Sequence, residues 1–361
     1  MVTLRNRIEG TILSTKDEEF YLFRFALKRL LAAIPLLFVL SIVSFGLIRS
    51  LPGDPVDAMM GGNTRDIDPR ELAAIRSEFG LDQPFPKQYA SWLKGFIGQG
   101  ELGRSYQDNR KVLVVIGERI PATITLVGIA LILSFANGIF WGLVMITVRF
   151  KFRSRLLEAP FVGTALLLHS VPAFFLGLLV IYCVTIIPAL HSIPLFGALR
   201  ADEPATPANL LKFAMLPALT LALSRSAKVA LFVRSLALDE ITRGYVTTAL
   251  AKGLSYSQVV VRHVARNCLV PIVNLLALSL PTLIGGSVLI ETIFAWPGTG
   301  RLAVEATFGR NFPVMTTLVM IYGTMVVLSN LIADLLQGLA DPRIAESISN
   351  SQTTMTRARS I

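Results

Sequence analysis

The sequence predicts an all-α integral membrane protein with six transmembrane helices and a large extracytoplasmic loop after the first. Three observations predict it. Of 361 residues, 53% are hydrophobic and only 16% are charged, with a mean hydropathy of +0.61, outside the range of soluble domains. Several apolar runs reach the length of about 20 residues that crosses a hydrocarbon core of about 30 Å. Much of the net charge of +10 lies in short segments beside those runs, where Lys and Arg set orientation. The positive balance is therefore read as topology, and no nucleic-acid partner is expected. Cys183 and Cys268 sit in or beside apolar runs and read as small buried hydrophobes, not a disulfide pair. No Cys-x-x-Cys or His cluster suggests a metal.

Residues 1–23 are mixed in charge, without clear periodicity, and read as a cytoplasmic tail. Residues 24–49 make the first span: Arg24, Lys28 and Arg29 precede an apolar run from about Leu30 to Ile48. That run is too long for a signal-peptide core and no A-x-A site follows, so it reads as uncleaved, with its N-terminus inside. Residues 50–118 change phase, with LPGDP, a helix around Glu71 to Phe79, and nearly balanced charges. They are assigned to the outside. A core domain is expected over 119–344 and a cytoplasmic tail over 345–361.

The second span runs from about Pro121 to Ile146, with Pro121 suited to a first helical turn and Asn137 in mid-span, set to bond a neighbouring helix. Arg149, Lys151, Arg153 and Arg155 follow within seven residues as a positive-inside signal. The third span covers about Ala159 to Ile187 and holds His169 and Pro172. His169 has two readings: a neutral side chain bonded to backbone or a facing helix, or a residue of the translocation pathway. A Pro-rich outside loop spans 188–212. The fourth span, about Phe213 to Leu236, carries Arg225, Lys228 and Arg234 toward its cytoplasmic end. Arg234 is placed to snorkel to the interface, and Arg225 to face protein.

Residues 239–268 form the longest polar-rich stretch of the second half and read as two short helices meeting at a corner. Ile241, Tyr245 and Ala249 share a face of the first helix. Lys252 falls in its last turn, and Gly253 suits the left-handed C′ position. Ser255 and Gln258 form a capping-box pattern, with Leu254 and Val259 as its staple. The fifth span, about Leu269 to Ile293, is interrupted by Pro271, Asn274, Pro281, Gly285 and Gly286. Such breaks need neighbouring helices or a water-lined cavity, which makes Asn274, Gly285 and Gly286 candidate pathway-lining residues. After it, Glu291 is placed to pair with Arg301 across an outer turn shaped by Pro297, Gly298 and Gly300, and Trp296 to sit at the interface. The sixth span runs from about Phe312 to Leu336 and closes on Asn330, Asp334, Asp341, Pro342 and Arg343.

YVTTALAKGL followed by RHVARNCLVP resembles the coupling loop, the EAA motif, of ABC-transporter permeases, in the branch that imports dipeptides, oligopeptides and nickel. LPGDP, ERIPATITL, HSVPAFFLGLLV, GGSVLIETIFAWPGTGRL and NLIADLLQGLADPRI resemble further segments of that branch, in the expected order. Thr247 and Thr248 depart from the general Glu-Ala consensus, and Ala249 and Gly253 match it. The resemblance implies a type I ABC importer permease core, of the first permease of the pair. It implies that Tyr245, Thr248, Ala249, Lys252, Gly253, Leu254 and Ser255 dock an ATPase subunit. It also implies a bacterial inner-membrane location with both termini in the cytoplasm. The implied partners are a second, different permease, two ATPase subunits and an extracytoplasmic substrate-binding protein. ATP and Mg would be bound by the ATPases and no cofactor by this chain.

The residues exclude several classes. No G-x-x-x-x-G-K-[ST] occurs, so the chain is not expected to hydrolyse ATP itself. H-E-x-x-H and G-x-S-x-G are likewise missing. An ion-coupled transporter would need mid-depth carboxylates that the spans do not offer. An intramembrane enzyme would need His169, Glu291 and Asp334 together, although their expected depths differ. Neither alternative explains the corner at 239–268.

Overall fold

The structure, a computed structural model, describes residues 15–50, 56, 68–78, 80–99, 102–195 and 207–340. LPGDP at 51–55, much of the Pro-rich loop at 196–206, Asp341-Pro342-Arg343, and the two tails at 1–14 and 345–361 lie outside the described residues.

Helices are the regular elements among the described residues, with one isolated bridge between Arg104 and Lys111. In order the helices are α1 (Thr15–Arg49), α2 (Pro69–Glu78), α3 (Phe85–Gln99), α4 (Val112–Phe152), α5 (Arg155–Ser170), α6 (Ala173–Ile186), α7 (Pro207–Glu240), α8 (Gly244–Ala251) and α9 (Tyr256–Val259). A π turn, Val260–Val264, leads to α10 (Ala265–Asn267), then α11 (Leu269–Ile293), α12 (Thr299–Phe308) and α13 (Phe312–Ala340). Among the described residues, five helices are long and apolar enough to cross a membrane, and α5 with α6 makes a sixth if the bent pair counts as one span.

Several boundaries depart from the sequence expectation. Helix α1 starts at Thr15, inside the stretch expected as a tail. Helix α4 is 41 residues long and runs through both the expected loop end at residue 118 and Pro121, which sits inside the helix, not at its start. Hydropathy marks only the apolar middle of such a helix, whereas the backbone continues into polar flanks. The third span is broken: α5 and α6 meet at 102°. Val171 at the break is extended (φ −82°, ψ 126°), because the Pro172 ring disfavours the helical region for the residue before it. Conversely, the fifth span is not interrupted. Helix α11 is continuous across Pro271 and Pro281. Pro271 lies in the first turn, where its missing N–H had no partner to lose.

Helices α4 and α7 form the central pair. Gly138 and Gly142 on α4 face Val229 and Val233 on α7 so closely that a Cβ at Gly138 would lie 2.5 Å from Val229 Cβ. Small residues four apart let helix backbones approach, which matters in lipid, where apolar burial alone does little to join helices. Around this pair one cluster joins Leu126, Ala218, Leu283, Phe294 and Trp296, and another at the opposite end joins Ile146, Val233, Val246, Val260 and Ile272. Leu30, Ile34, Leu36 and Leu47 on α1 and Ile132 and Phe140 on α4 are exposed, as a lipid-facing surface requires. Helix α1 is tied to α13 by Arg29–Asp334 at 3.2 Å.

The region after α1 is anchored to the rest of the bundle. Asn311, buried before α13, accepts from Tyr106 N–H at 3.1 Å and donates to Ser105 Oγ at 2.9 Å. Burial pushes the Tyr106 phenol up, with Arg49 opposing the shift.

Candidate functional site

The corner at 239–268 is built by local signals. After α7, Arg243 takes an extended conformation and starts α8. Lys252 caps that helix one residue past its last turn, its N–H bonded to Thr248 O at 3.1 Å. Gly253 follows at φ 84° with open space around it. Leu254 N–H then reaches back to Ala249 O at 3.3 Å, a C-terminal capping pattern. Ser255 and Gln258 make both arms of a capping box, at 2.9 and 3.4 Å. Ile241, expected on the first helix, lies instead in the turn between α7 and α8.

One carboxylate closes the corner on itself. Glu240 accepts from Tyr245 Oη at 2.8 Å, from Asn267 Nδ2 at 3.1 Å and from Arg243 Nε at 2.8 Å. It thus joins the end of α7 to α8 and to the far end of the corner. Partial burial and the bond to Glu240 both raise the Tyr245 phenol, burial first. Burial, aided by the Glu240 charge, pushes the Cys268 thiol up to about 11. Tyr256 packs edge-on against Phe150 of α4, with ring centroids 4.9 Å apart.

The corner has two faces. Val246 and Ala249, at 2% and 6% exposure, point into the cluster with Val259, Val260 and Val264. Thr248, Lys252, Gly253 and Ser255 are exposed, and Tyr245 and Leu254 are half-buried at the seam. Ala249, expected among the docking residues, therefore faces inward, because its position on α8 is in phase with Val246.

At the other end of the bundle the turn after α11 is organised by Glu291, which is fully buried. Its Oε1 accepts from Thr123 Oγ1 at 2.9 Å and Ser287 Oγ at 3.1 Å. Its Oε2 accepts from the N–H groups of Gly300 at 2.7 Å and Arg301 at 3.2 Å, the first turn of α12, where a negative charge is favoured. The expected side-chain pair with Arg301 does not form: that guanidinium binds Glu305 at 2.7 Å and Ala295 O at 2.8 Å. Trp296 is not at an interface either. It is fully buried, and its Nε1 donates to Ala122 O at 2.9 Å. Pro297 is half-buried, while a Cβ on Gly298 would fall 2.3 Å from Glu291 Oε2.

A second buried carboxylate lies near the corner end. Glu158, 2% exposed in the first turn of α5, accepts from Arg149 Nη1 at 3.1 Å and from Arg234 Nε. It links α4, α5 and α7. Arg234 is thus ion-paired where snorkelling had been expected. Arg225 on α7 is half-buried, and its Nε has no hydrogen-bond partner among the described residues.

The candidate pathway residues are spread over two helices. His169 is exposed on α5, without the backbone or helix bond of its first reading among the described residues. On α11, Asn274 Oδ1 is buried with no hydrogen-bond partner among the described residues, a Cβ on Gly285 would meet open space, and one on Gly286 would lie 3.6 Å from Leu221 Cδ1. His169, Glu291 and Asp334 are not brought together: Glu291 is taken by the turn and Asp334 by Arg29. No group of three or more potential metal ligands occurs among the described residues.

A family model described as the binding-protein-dependent transport system inner membrane component matches residues 138–346, from mid-α4 past α13. The N-terminal model of the same transport systems matches residues 22–127. The chain belongs to this family of transport permeases. Di/tripeptide transport system permease protein DppB of Pseudomonas aeruginosa (strain UCBPP-PA14) is 33% identical over 89% of this chain and 98% of its own length. Oligopeptide transport system permease protein AppB of Bacillus subtilis (strain 168) is also 33% identical, over 89% and 98%. A provisionally named peptide permease of Brucella suis biovar 1 (strain 1330) reaches 35% over 90% and 99%. Among solved structures, a chain of the inward-facing MetNI methionine ABC transporter superposes with a TM-score of 0.50 at 18% identity, covering 63% of this permease and 97% of that chain. That likeness is one of fold. This permease is therefore a membrane subunit of an ABC importer.

Within the family region, two residues of this permease that organise the bundle escape sequence reasoning. The signal that could have found Glu158 is its place as the lone acid in a run of basic residues opening a helix, a pattern that positive-inside counting absorbs. Thr123, which serves Glu291 from 168 positions away, carries no local signal.

Proposed function

We propose that this permease forms half of a translocation pathway for peptides or a related small solute. A second, different permease completes the pathway, and an extracytoplasmic binding protein delivers the cargo. Two ATPase subunits bind ATP and Mg and dock on the corner at 239–268, in the cytoplasm. The chain itself binds no cofactor. Both termini lie on the corner side of a bacterial inner membrane.

The observation that carries this reading is the two-faced corner. Val246 and Ala249 fix it to the α4–α7 core, while Thr248, Lys252 and Gly253 stand clear of the chain's own packing. A docking element must be rigid toward its own subunit and open toward its partner. The peptide assignment rests on the names of the relatives at 33% identity.

Co-purification tests the assembly. A tagged chain extracted from its native host in mild detergent should carry a second permease and ATPase subunits in stoichiometric amounts. The associated binding protein can then be screened against peptide libraries. A chain that purifies alone, and transports without ATP after reconstitution, overturns the reading.

A further inference from the structure

We propose that the crevice between α4, α5 and α7 is a binding site for one anionic phospholipid. Two pockets stack along it. The first is lined by Arg149, Arg155, Glu158 and Arg234. The second, of about 360 Å³, is lined by Met145, Phe161, Ala165, Leu168, Ala227 and Ala230, among others. Met145 lies one turn before Arg149 on α4, and Ala230 one turn before Arg234 on α7. Helix α5 runs the opposite way, and on it Phe161, Ala165 and Leu168 follow Arg155 and Glu158. The apolar pocket thus continues the charged one toward the middle of the membrane.

Charge and polarity match the two halves of a phospholipid. Three guanidinium groups meet a single carboxylate in the charged pocket. Both Glu158 oxygens are already used, one by Arg149 and one by Arg234. No hydrogen bond or ion pair to Arg155 occurs among the described residues. A surplus of cation at the edge of the hydrocarbon calls for an anion, and the guanidinium fork suits phosphate oxygens. Leu156 and Leu157 beside it are 84% and 51% exposed, as expected at a lipid boundary. A free phosphate or an acidic protein surface would answer the arginines and leave the apolar pocket unfilled. A lipid answers both. The inference rests on the reading above that this end of the bundle faces the cytoplasmic leaflet, where anionic headgroups attract basic residues.

The test is lipid retention by the purified permease complex, read by native mass spectrometry after exchange into mixed phosphatidylglycerol and phosphatidylethanolamine. Phosphatidylglycerol should be retained preferentially. Arg155→Gln, which leaves the Glu158 ion pairs in place, should lower its retention about fivefold without moving the thermal midpoint. Thr164 also lines the apolar pocket, and Thr164→Trp, which crowds it, should lower retention too. Equal retention of the two lipids, or unchanged retention in both variants, overturns the proposal. So does full displacement of the lipid by inorganic phosphate, which would mark a free-anion site. Labelling of Ser154→Cys in a Cys183→Ser background with an impermeant maleimide, in inside-out against right-side-out vesicles, reads the orientation separately. Labelling from the outer side would overturn the leaflet assignment whatever the retention shows.

Discussion

Glu291 Oε2 accepts the Gly300 N–H at 2.7 Å, and Gly300 in turn has no room for a side chain, since a Cβ would lie 2.6 Å from Val288 Cα. The carboxylate thus does for the start of α12 what a capping side chain does, from a different helix. Glu291→Ala should leave two backbone N–H and two hydroxyl groups unserved and cost about 2 kcal/mol. It should be read as a lower thermal midpoint of the detergent-solubilised complex. Substrate preference should not change. A Glu291→Gln variant with normal abundance and altered preference would contradict this structural role.

The two faces of the corner separate docking from folding. Thr248→Arg, on the exposed face, should abolish uptake while the permease reaches the membrane at its usual level. Ala249→Arg forces a charge into the Val246–Val259–Val260 cluster, and should lower abundance because a buried unpaired charge is costly. Quantifying the permease by immunoblot alongside uptake checks both. Gly253→Ala adds only backbone strain, about 1 kcal/mol, since its φ is 84° and its surroundings are open.

Glu158 and its two arginines should behave as a unit. Glu158→Ala leaves Arg149 and Arg234 facing each other without their shared anion. A loss of about 2 kcal/mol is expected. Adding Arg234→Ala should restore part of it, because the second change removes one of the stranded charges. A double-mutant cycle on thermal stability measures the coupling, and strict additivity would show that the cluster does not act together.

The Cys268 thiol, raised from 9.0 to about 11 by burial and Glu240, sets a pH window. The folded protein holds this proton to a higher pH than the unfolded chain does. The stabilising effect is therefore complete below about pH 9 and is lost as pH rises through about 11. Thiolate-selective labelling in a Cys183→Ser background should be negligible at pH 8 and rise only near pH 11. Labelling that rises at pH 9 would show the site to be open.

The sequence carried the corner in detail, because Gly253, Ser255 and Gln258 act on neighbours within a few residues and need no knowledge of the rest of the chain. It carried the number of apolar runs for the same reason. It did not carry the partners of buried polar groups. Arg301 was the nearest charge to Glu291 along the chain, but the carboxylate is held by Thr123, 168 positions away. Trp296 looked like an interfacial aromatic because Trp favours the membrane–water boundary, and only packing on α4 and α7 decides that it is buried. Pro172 and Pro281 are the same residue type with opposite outcomes: one ends a helix and the other is absorbed by it. What separates them is whether neighbouring helices hold the backbone in line, which no local rule reports.

The length of α4 has a mechanical meaning. Its 41 residues make a rod of about 60 Å, roughly twice the hydrocarbon thickness. Thr123, about 17 Å in from one tip, is held against Glu291, and Phe150 near the other tip packs against Tyr256. Tilting that rod by about 5° about its middle displaces Phe150 by roughly 2.5 Å one way and Thr123 by roughly 1 Å the other. Opposite sides of the bilayer can therefore exchange information by leverage alone, with no chain of side-chain rearrangements between them.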